Sequence, residues 1–431
     1  MGPRINIFRD ERGKTDITRL LQHVHRHGDY VFDDDQLRAW TGKHYKIANL
    51  SDIRRKMSHL LGHDAPTLEI NEATSRAKIL WSTTLPLPPP GLLNLNNGVF
   101  DANSKTLSPH HQKFGFTYVI PIEFDPNAKC PRFKKWLRDV CNGDREKMIL
   151  IRDIFGYALA GRNPSHIVIF LYGVGRNGKT VLLSILKRLL GEENVSVLSL
   201  PQMSEKFLRI HLDQKLANLC DENPSDGSLL KTEFLKQISS ENEFYGEEKG
   251  VPSKKMRFTG LLAFSLNQIP RTRDFSDAFR QRVVIVEFTK QYLGNQRIAH
   301  IEETFVPELS GVLNWALRGL KAVRENDGLL PIPDSVRQKT FALLDEGNSP
   351  VRFVLEKCEF GADFSVGKEG LYEAYEAWCQ ETGSKAATDS VFFKRVEERF
   401  GDKVRHQRPR SGRDDRRPRR LVGLRLCRNA Q

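Results

Sequence analysis

At 431 residues, 39% of them hydrophobic, the chain has room for two to four domains with real cores, which sets it among globular proteins. No apolar run approaches the ~18 residues needed to cross a bilayer, and the amino terminus lacks a secretory apolar core and a myristoylation serine or threonine, so no membrane partner and a cytoplasmic setting are expected. The formal charge of +13 favours a polyanionic partner, nucleic acid first, and six scattered cysteines without a C-x-x-C pair exclude a zinc ribbon or a disulfide framework.

Residues 1–90 read as a small amino-terminal module followed by a proline-rich linker. One helix is expected from Asp16 as N-cap to Gly28 and a second from Ser51 to Gly62. His23, His25 and His27 alternate, and on a helix alternate residues point ~200° apart, so they predict a solvated face rather than a metal site. Asp33, Asp34 and Asp35 stand directly before Gln36–Trp40, a pattern that predicts a helix start with acids at the positive end of its dipole. Leu85–Gly91 holds four prolines and predicts an extended spacer. Residues 91–165 read as a helical lead-in domain: a turn-rich entry at Asn94–Asp101, a helix opened by Pro131, and a buried helix over Met148–Gly161.

Residues 166–346 carry the chemistry. The apolar run Ile167–Tyr172 predicts a strand buried on both faces, and Val181–Leu190 is apolar at helical spacing. Between them lies Gly173-Val174-Gly175-Arg176-Asn177-Gly178-Lys179-Thr180, the G-x-x-x-x-G-K-[ST] pattern of a phosphate-binding loop. Its glycines let the backbone turn successive N–H groups toward phosphates, and the helix behind adds its positive end. Lys179, expected on an exposed loop, reaches the β/γ oxygens of ATP, and Thr180 ligates Mg²⁺. A second strand, Leu216–Cys220, ends in Asp221 and Glu222, suited to the Mg²⁺ shell and to polarising the attacking water. A third, Leu261–Leu266, ends in Asn267, whose amide could bond both γ-phosphate and water, or serve simply as a turn residue. Phe244–Phe258 predicts a hairpin with Lys249, Lys254 and Lys255 either on a phosphate backbone or on a solvated turn. Arg282, with Arg280 as the second choice, precedes the strand Val283–Val286, where a guanidinium could reach a neighbour's nucleotide.

Residues 347–431 follow the boundary signal Gly347–Pro350. They hold helical Gly370–Cys379 and Ser390–Val396, then Arg408, Arg410, Arg413, Arg416 and Arg417, and a short strand Leu421–Leu426. Arginines this dense cannot form a buried loop; they read as a DNA contact or as a disordered basic tail.

Lys179, Asp221 and Glu222, the basic hairpin, Asn267 and Arg282 fall in the order of the superfamily 3 helicases, and the chain resembles the phage, plasmid and poxvirus primase-helicase branch from about Asn94 onward. The resemblance implies an α/β P-loop NTPase motor of AAA+-like type, a helical module before it and a winged-helix-like basic domain after it. It further implies an ATP- and Mg²⁺-dependent DNA helicase that forms a ring, expected as a hexamer, moving 3′ to 5′ on single-stranded and forked DNA in a prokaryotic host cell. A primase domain is not expected within the ~90 leading residues, so a primase or polymerase would be a separate partner. Two other readings stay open: an ATP-switched origin-binding protein without unwinding, and a small-molecule phosphotransferase.

Overall fold

The computed structural model describes all residues except 1–6, 11, 12, 34, 63, 64, 222, 224–229, 249, 250, 271, 273, 275, 295–297, 385, 408–418 and 428–431. The chain divides into two compact units. One comprises residues 1–130, 188–194 and 306–317, and the other comprises 131–187, 195–305 and 318–431.

In the first unit, α1 (Ile17–Arg26) starts where expected: the Asp16 carboxylate accepts from the Arg19 N–H, and Leu20, Leu21 and Val24 are buried. The acidic run that follows does not start a helix. Instead β1 (Tyr30–Asp33), β2 (Gln36–Trp40) and β3 (Tyr45–Ile47) form an antiparallel sheet, with Asp33 opposite Gln36 and Asp35 at a positive φ of 60° in the turn; Asp34 lies outside the described residues. The physical reason is visible at Asp33. One carboxylate oxygen bonds buried Arg38 at 3.1 Å and the other accepts from the Leu85 N–H at 3.0 Å, so the charge serves a cross-strand pair rather than a helix dipole. After α2 (Leu50–Leu61) comes α3 (Thr67–Leu80), a helix the sequence reading missed because only the small residues Ala73, Thr74 and Ala77 are buried on it. These elements share a core of Leu20, Val24, Phe32, Ile53, Met57 and Trp81.

The turn-rich entry is a three-stranded antiparallel meander: β4 (Leu92–Leu95), β5 (Gly98–Asp101) and β6 (Thr106–Ser108). Asn96 and Asn97 form the two-residue β4–β5 turn, and the Asn97 side chain both accepts from and donates to the Phe124 backbone at 3.0 Å.

The second unit opens with α4 (Pro131–Val140) and α5 (Arg145–Ala160), the latter capped by Asp144 and closed by Gly161 in the left-handed region. Its centre is a five-stranded sheet formed by β7 (Val168–Tyr172), β8 (Val195–Ser196), β9 (Ala217–Cys220), β12 (Leu261–Leu266) and β13 (Val283–Glu287). The order is β13-β7-β12-β9-β8, and every pair is parallel. Strands β9 and β12 are buried at every residue, as runs covered on both faces require. Between them come α6 (Lys179–Leu190), α7 (Thr232–Ser239), the hairpin β10 (Phe244–Glu248) with β11 (Val251–Met256), and the short α8 (Asp277–Arg280).

Two helices follow, α9 (Leu309–Glu325) and α10 (Asp334–Asp345). The remaining elements are α11 (Ser349–Lys357), β14 (Cys358–Gly367), α12 (Lys368–Glu381), α13 (Asp389–Phe400), β15 (Arg405–Gln407) and β16 (Arg420–Leu426). Here three helices and an antiparallel sheet in the order β14-β16-β15 enclose their own core around Phe353, Tyr375, Trp378 and Phe392.

Candidate nucleotide site and nucleic-acid interface

The glycine loop leaves the carboxyl end of β7, which lies between β12 and β13. Strands begun later in the chain flank it on both sides, the arrangement that opens a crevice at the strand ends of a parallel sheet. Gly173 takes its place because nothing larger fits: a Cβ there would lie 2.1 Å from Asn177 Nδ2 and 2.3 Å from the Phe288 carbonyl oxygen. Gly175, Arg176 and Gly178 hold φ of 66°, 53° and 84°, so the loop curls through left-handed conformations before α6 begins at Lys179. The segment after β13 holds this loop from outside. Tyr292 N–H donates to the Arg176 carbonyl at 2.9 Å, and the Gln291 amide to that of Val174 at 2.7 Å.

Lys179 corrects one expectation. It is not on an exposed surface but 3% exposed, with Nζ donating to the Gly173 carbonyl (2.6 Å), Asn177 Oδ1 (2.9 Å) and Asn267 Oδ1 (3.2 Å). All three acceptors are neutral. Burial with no carboxylate in contact pushes the ammonium down to about 8. Parallel pairing of Leu266 with Tyr172 brings Asn267 and Gly173 to the same level, which is how Asn267, 88 positions from Lys179, reaches its amine.

The loop faces a cavity of about 750 Å³. Gly175–Val181, Asp221, Ser265 and Asn267 line one part of it, and Trp136, Asp139, Tyr292 and Ile298–Glu302 line another. Thr180 and Asp221 are both exposed to it. Asp139, at the end of α4, accepts from Tyr292 Oη at 2.7 Å and pairs with Lys290; hydrogen bonds from both hold its carboxyl below the usual carboxylate range. Asn223, just past β9, accepts from the Leu200 N–H (3.0 Å) and donates to the Ser265 carbonyl (3.1 Å). Trp136, Asp139 and Tyr292 were not singled out from the sequence. They come from the lead-in helix and the strand exit, and no motif spacing links them to the loop.

The other expected residues divide. Glu222, Lys249, Arg408, Arg410, Arg413, Arg416 and Arg417 lie outside the described residues. Lys254 is paired with Asp213 at 2.6 Å and Lys255 with Glu243 at 2.6 Å, both on β11. Arg280 is 4% exposed and bonded to Asp345 through both terminal guanidinium nitrogens. Arg282 donates to the Ala278 carbonyl (2.5 Å) and to Ser240 Oγ (2.9 Å), while its Nε is buried with no partner.

Fold and loop together define an α/β protein with a parallel sheet and a glycine-rich loop at its carboxyl edge. Residues 17–142 match the family described as D5 N terminal like, and residues 171–282 match a family of unknown function, DUF5906. Over 240 residues, 51% of the chain, the protein is 22% identical to the putative helicase 022R of Frog virus 3 (isolate Goorha), and it spans 25% of that relative's length. Its fold is similar to that of the NrS-1 C terminal region. One apo structure gives a TM-score of 0.58 at 14% identity, covering 95% of this chain and 100% of that one; an A form gives 0.56 at 14% identity, covering 94% and 98%. No helix among the described residues is long and apolar enough to cross a membrane.

Proposed function

We propose that the protein is an ATP-hydrolysing DNA helicase or translocase of the superfamily 3 type, acting in replication of a phage, virus or other mobile element. The observation that carries this reading is Lys179: a buried ammonium among neutral acceptors, at a glycine loop that a Cβ would block, facing a cavity of about 750 Å³. Such a cation lacks an anion, and a polyphosphate supplies one. Gly173–Thr180 would cradle the phosphates, with Mg²⁺ held by Thr180 and Asp221. The ion's contribution when bound is to neutralise charge on the β and γ oxygens. Asn267, whose Oδ1 accepts from the Lys179 amine, would offer its Nδ2 as a donor to the terminal phosphate. Glu222 would orient the attacking water.

Arg282 supports assembly. Its carbonyl accepts from the Val168 N–H, so it sits where β7 begins, whereas the loop starts where β7 ends, about 15 Å away along an extended strand. A guanidinium at the amino edge of the sheet cannot serve its own subunit's loop. It can serve one in a neighbouring copy, which favours a ring, taken here as a hexamer. Arg280, closed off by Asp345, is the poorer choice. The three helices and β14-β16-β15 sheet are read as a winged-helix-like module, with Arg408, Arg410, Arg413, Arg416 and Arg417 as its DNA contacts. DNA would meet that module and the β10–β11 hairpin, with movement 3′ to 5′ on single strands.

The test is ATP turnover with and without single-stranded DNA, together with strand displacement on a forked duplex. DNA-stimulated turnover with displacement is the expected result. Turnover without displacement would instead favour an ATP-switched origin binder, and turnover indifferent to DNA a phosphotransferase.

A further inference from the structure

Helix α10 lies along the open edge of the parallel sheet, since β13 is the outermost strand beside β7. It is tied to that edge at two points and to α8 at a third. Lys339 pairs with Glu287 at 2.8 Å, and the buried Thr340 hydroxyl accepts the Ile285 N–H at 3.0 Å, satisfying a ladder group that the missing neighbour strand leaves free. At its last residue, Asp345 binds both terminal guanidinium nitrogens of Arg280.

The same carboxylate also accepts from Arg399 Nε at 3.4 Å. Arg399 belongs to α13, whose Phe392, Val396 and Phe400 are buried in the carboxyl-terminal module's core. One buried carboxylate therefore holds two guanidiniums from two cores. Asp345 and Arg280 are 5% and 4% exposed at the side chain, and Arg399 is 34% exposed. A buried carboxylate is stable only while its cations stay in place, so a shift of α13 changes how Asp345 holds Arg280. Arg280 ends α8, and Arg282 follows it by two residues, itself bonded to the Ala278 carbonyl of the same turn.

We propose that Asp345 is a positioning residue that links the carboxyl-terminal module to the proposed trans-acting Arg282, so that DNA held by that module sets the placement of the arginine on the neighbouring copy's nucleotide. The inference rests on the helicase reading above. Asp345 touches no nucleotide; it acts through Arg280 and α8. The requirement is a rigid connection with two ends, and α10 provides one, anchored along β13 and closed by a shared ion pair.

The experiment uses the full chain and compares wild type with Arg399→Ala and Arg399→Lys. The readout is the ratio of ATP turnover at saturating single-stranded DNA to turnover without DNA, measured after DNA affinity and melting temperature have been determined for each protein. Arg399→Ala is expected to lower the ratio about fivefold or more, the scale of a real coupling, while Arg399→Lys, which keeps a cation at Asp345, retains most of it. Hydrogen exchange over residues 277–287 provides an activity-independent check: DNA should change protection there in wild type and not in Arg399→Ala. An unchanged ratio and exchange pattern in Arg399→Ala overturns the link, as does an equal loss in Arg399→Lys. If wild type turns over no ATP, or turns it over without response to DNA, it is the helicase reading that fails, and the exchange measurement still decides the link.

Discussion

A lysine held at about 8 by burial makes nucleotide binding a proton-linked event. Below that pH the amine already carries its proton; near pH 8 it is about half charged, and phosphate oxygens favour the charged form. Binding should therefore take up as much as about half a proton at pH 8 and almost none at pH 6. Calorimetry in buffers of different ionisation heat measures this directly, and uptake independent of pH would remove Lys179 from the phosphates. Lys179→Ala should lower hydrolysis by about 100-fold or more, the usual cost of losing a charge-stabilising donor, with folding checked by circular dichroism. Two glycines of the loop make a graded pair. Gly173→Ala places a Cβ against the Phe288 backbone at 2.3 Å and should cost about 1–3 kcal/mol in stability together with nucleotide affinity. Gly175→Ala meets nothing within 4 Å and should cost only the left-handed strain of about 1–2 kcal/mol. Melting curves with and without nucleotide would show whether the order holds.

At the scale of elements, the β10–β11 hairpin is a two-stranded ribbon packed through Phe244 and Met256 and carrying consecutive lysines that point to opposite faces of β11. Phe244 and Met256 face the core, while Lys254 and Lys255 stand in ion pairs with Asp213 and Glu243. The exposed Lys255–Glu243 pair is worth at most about 1 kcal/mol, so a DNA phosphate can displace that carboxylate, whereas the Lys254–Asp213 pair is part-buried. Lys254→Ala combined with Lys255→Ala should leave duplex binding and ATP turnover close to wild type yet abolish unwinding, because a strand that is not held cannot be pulled. Normal fork unwinding by this double variant, measured beside its ATP turnover, would take the hairpin out of the mechanism. The β1–β2 hairpin shows how an element can defeat a local signal. Three aspartates before an amphipathic stretch are a sound helix start, but Arg38 five residues on offers Asp33 a buried partner, and the strand pairing that brings them together wins.

At the scale of the whole molecule, two separations can be tested. If Arg282 serves a neighbouring copy, Arg282→Ala and Lys179→Ala proteins should each be inactive alone but regain turnover when mixed, since a mixed ring contains some interfaces with both residues intact. No recovery on mixing would leave the trans role without support. Deleting residues from 347 onward should weaken duplex binding and flatten its salt dependence, because fewer phosphates are neutralised. Basal ATP turnover should persist, as the sheet and loop have their own core around Phe170, Phe264 and Ile285. Titrations at several salt concentrations alongside turnover would check both statements.

The glycine loop, its strand and its helix were legible from residue order alone because their chemistry is local: a β-branched run, glycines at fixed spacing, then Lys179 and Thr180 opening an apolar periodic helix. The strands ending at Cys220 and Leu266 were legible for the same reason, and so were α4, α5, α12 and α13. What tertiary structure decided is whatever depends on a partner distant in the chain. It set the sheet order that carries Asn267 to Lys179 and the burial that strips that lysine of water. It also brought Trp136 and Tyr292 to one cavity and joined Arg280 and Arg399 at Asp345. Strands β4 to β6 and β14 were hidden because short or half-exposed strands have no periodic apolar face of their own, and their backbone bonds are satisfied only by neighbours the linear order does not name.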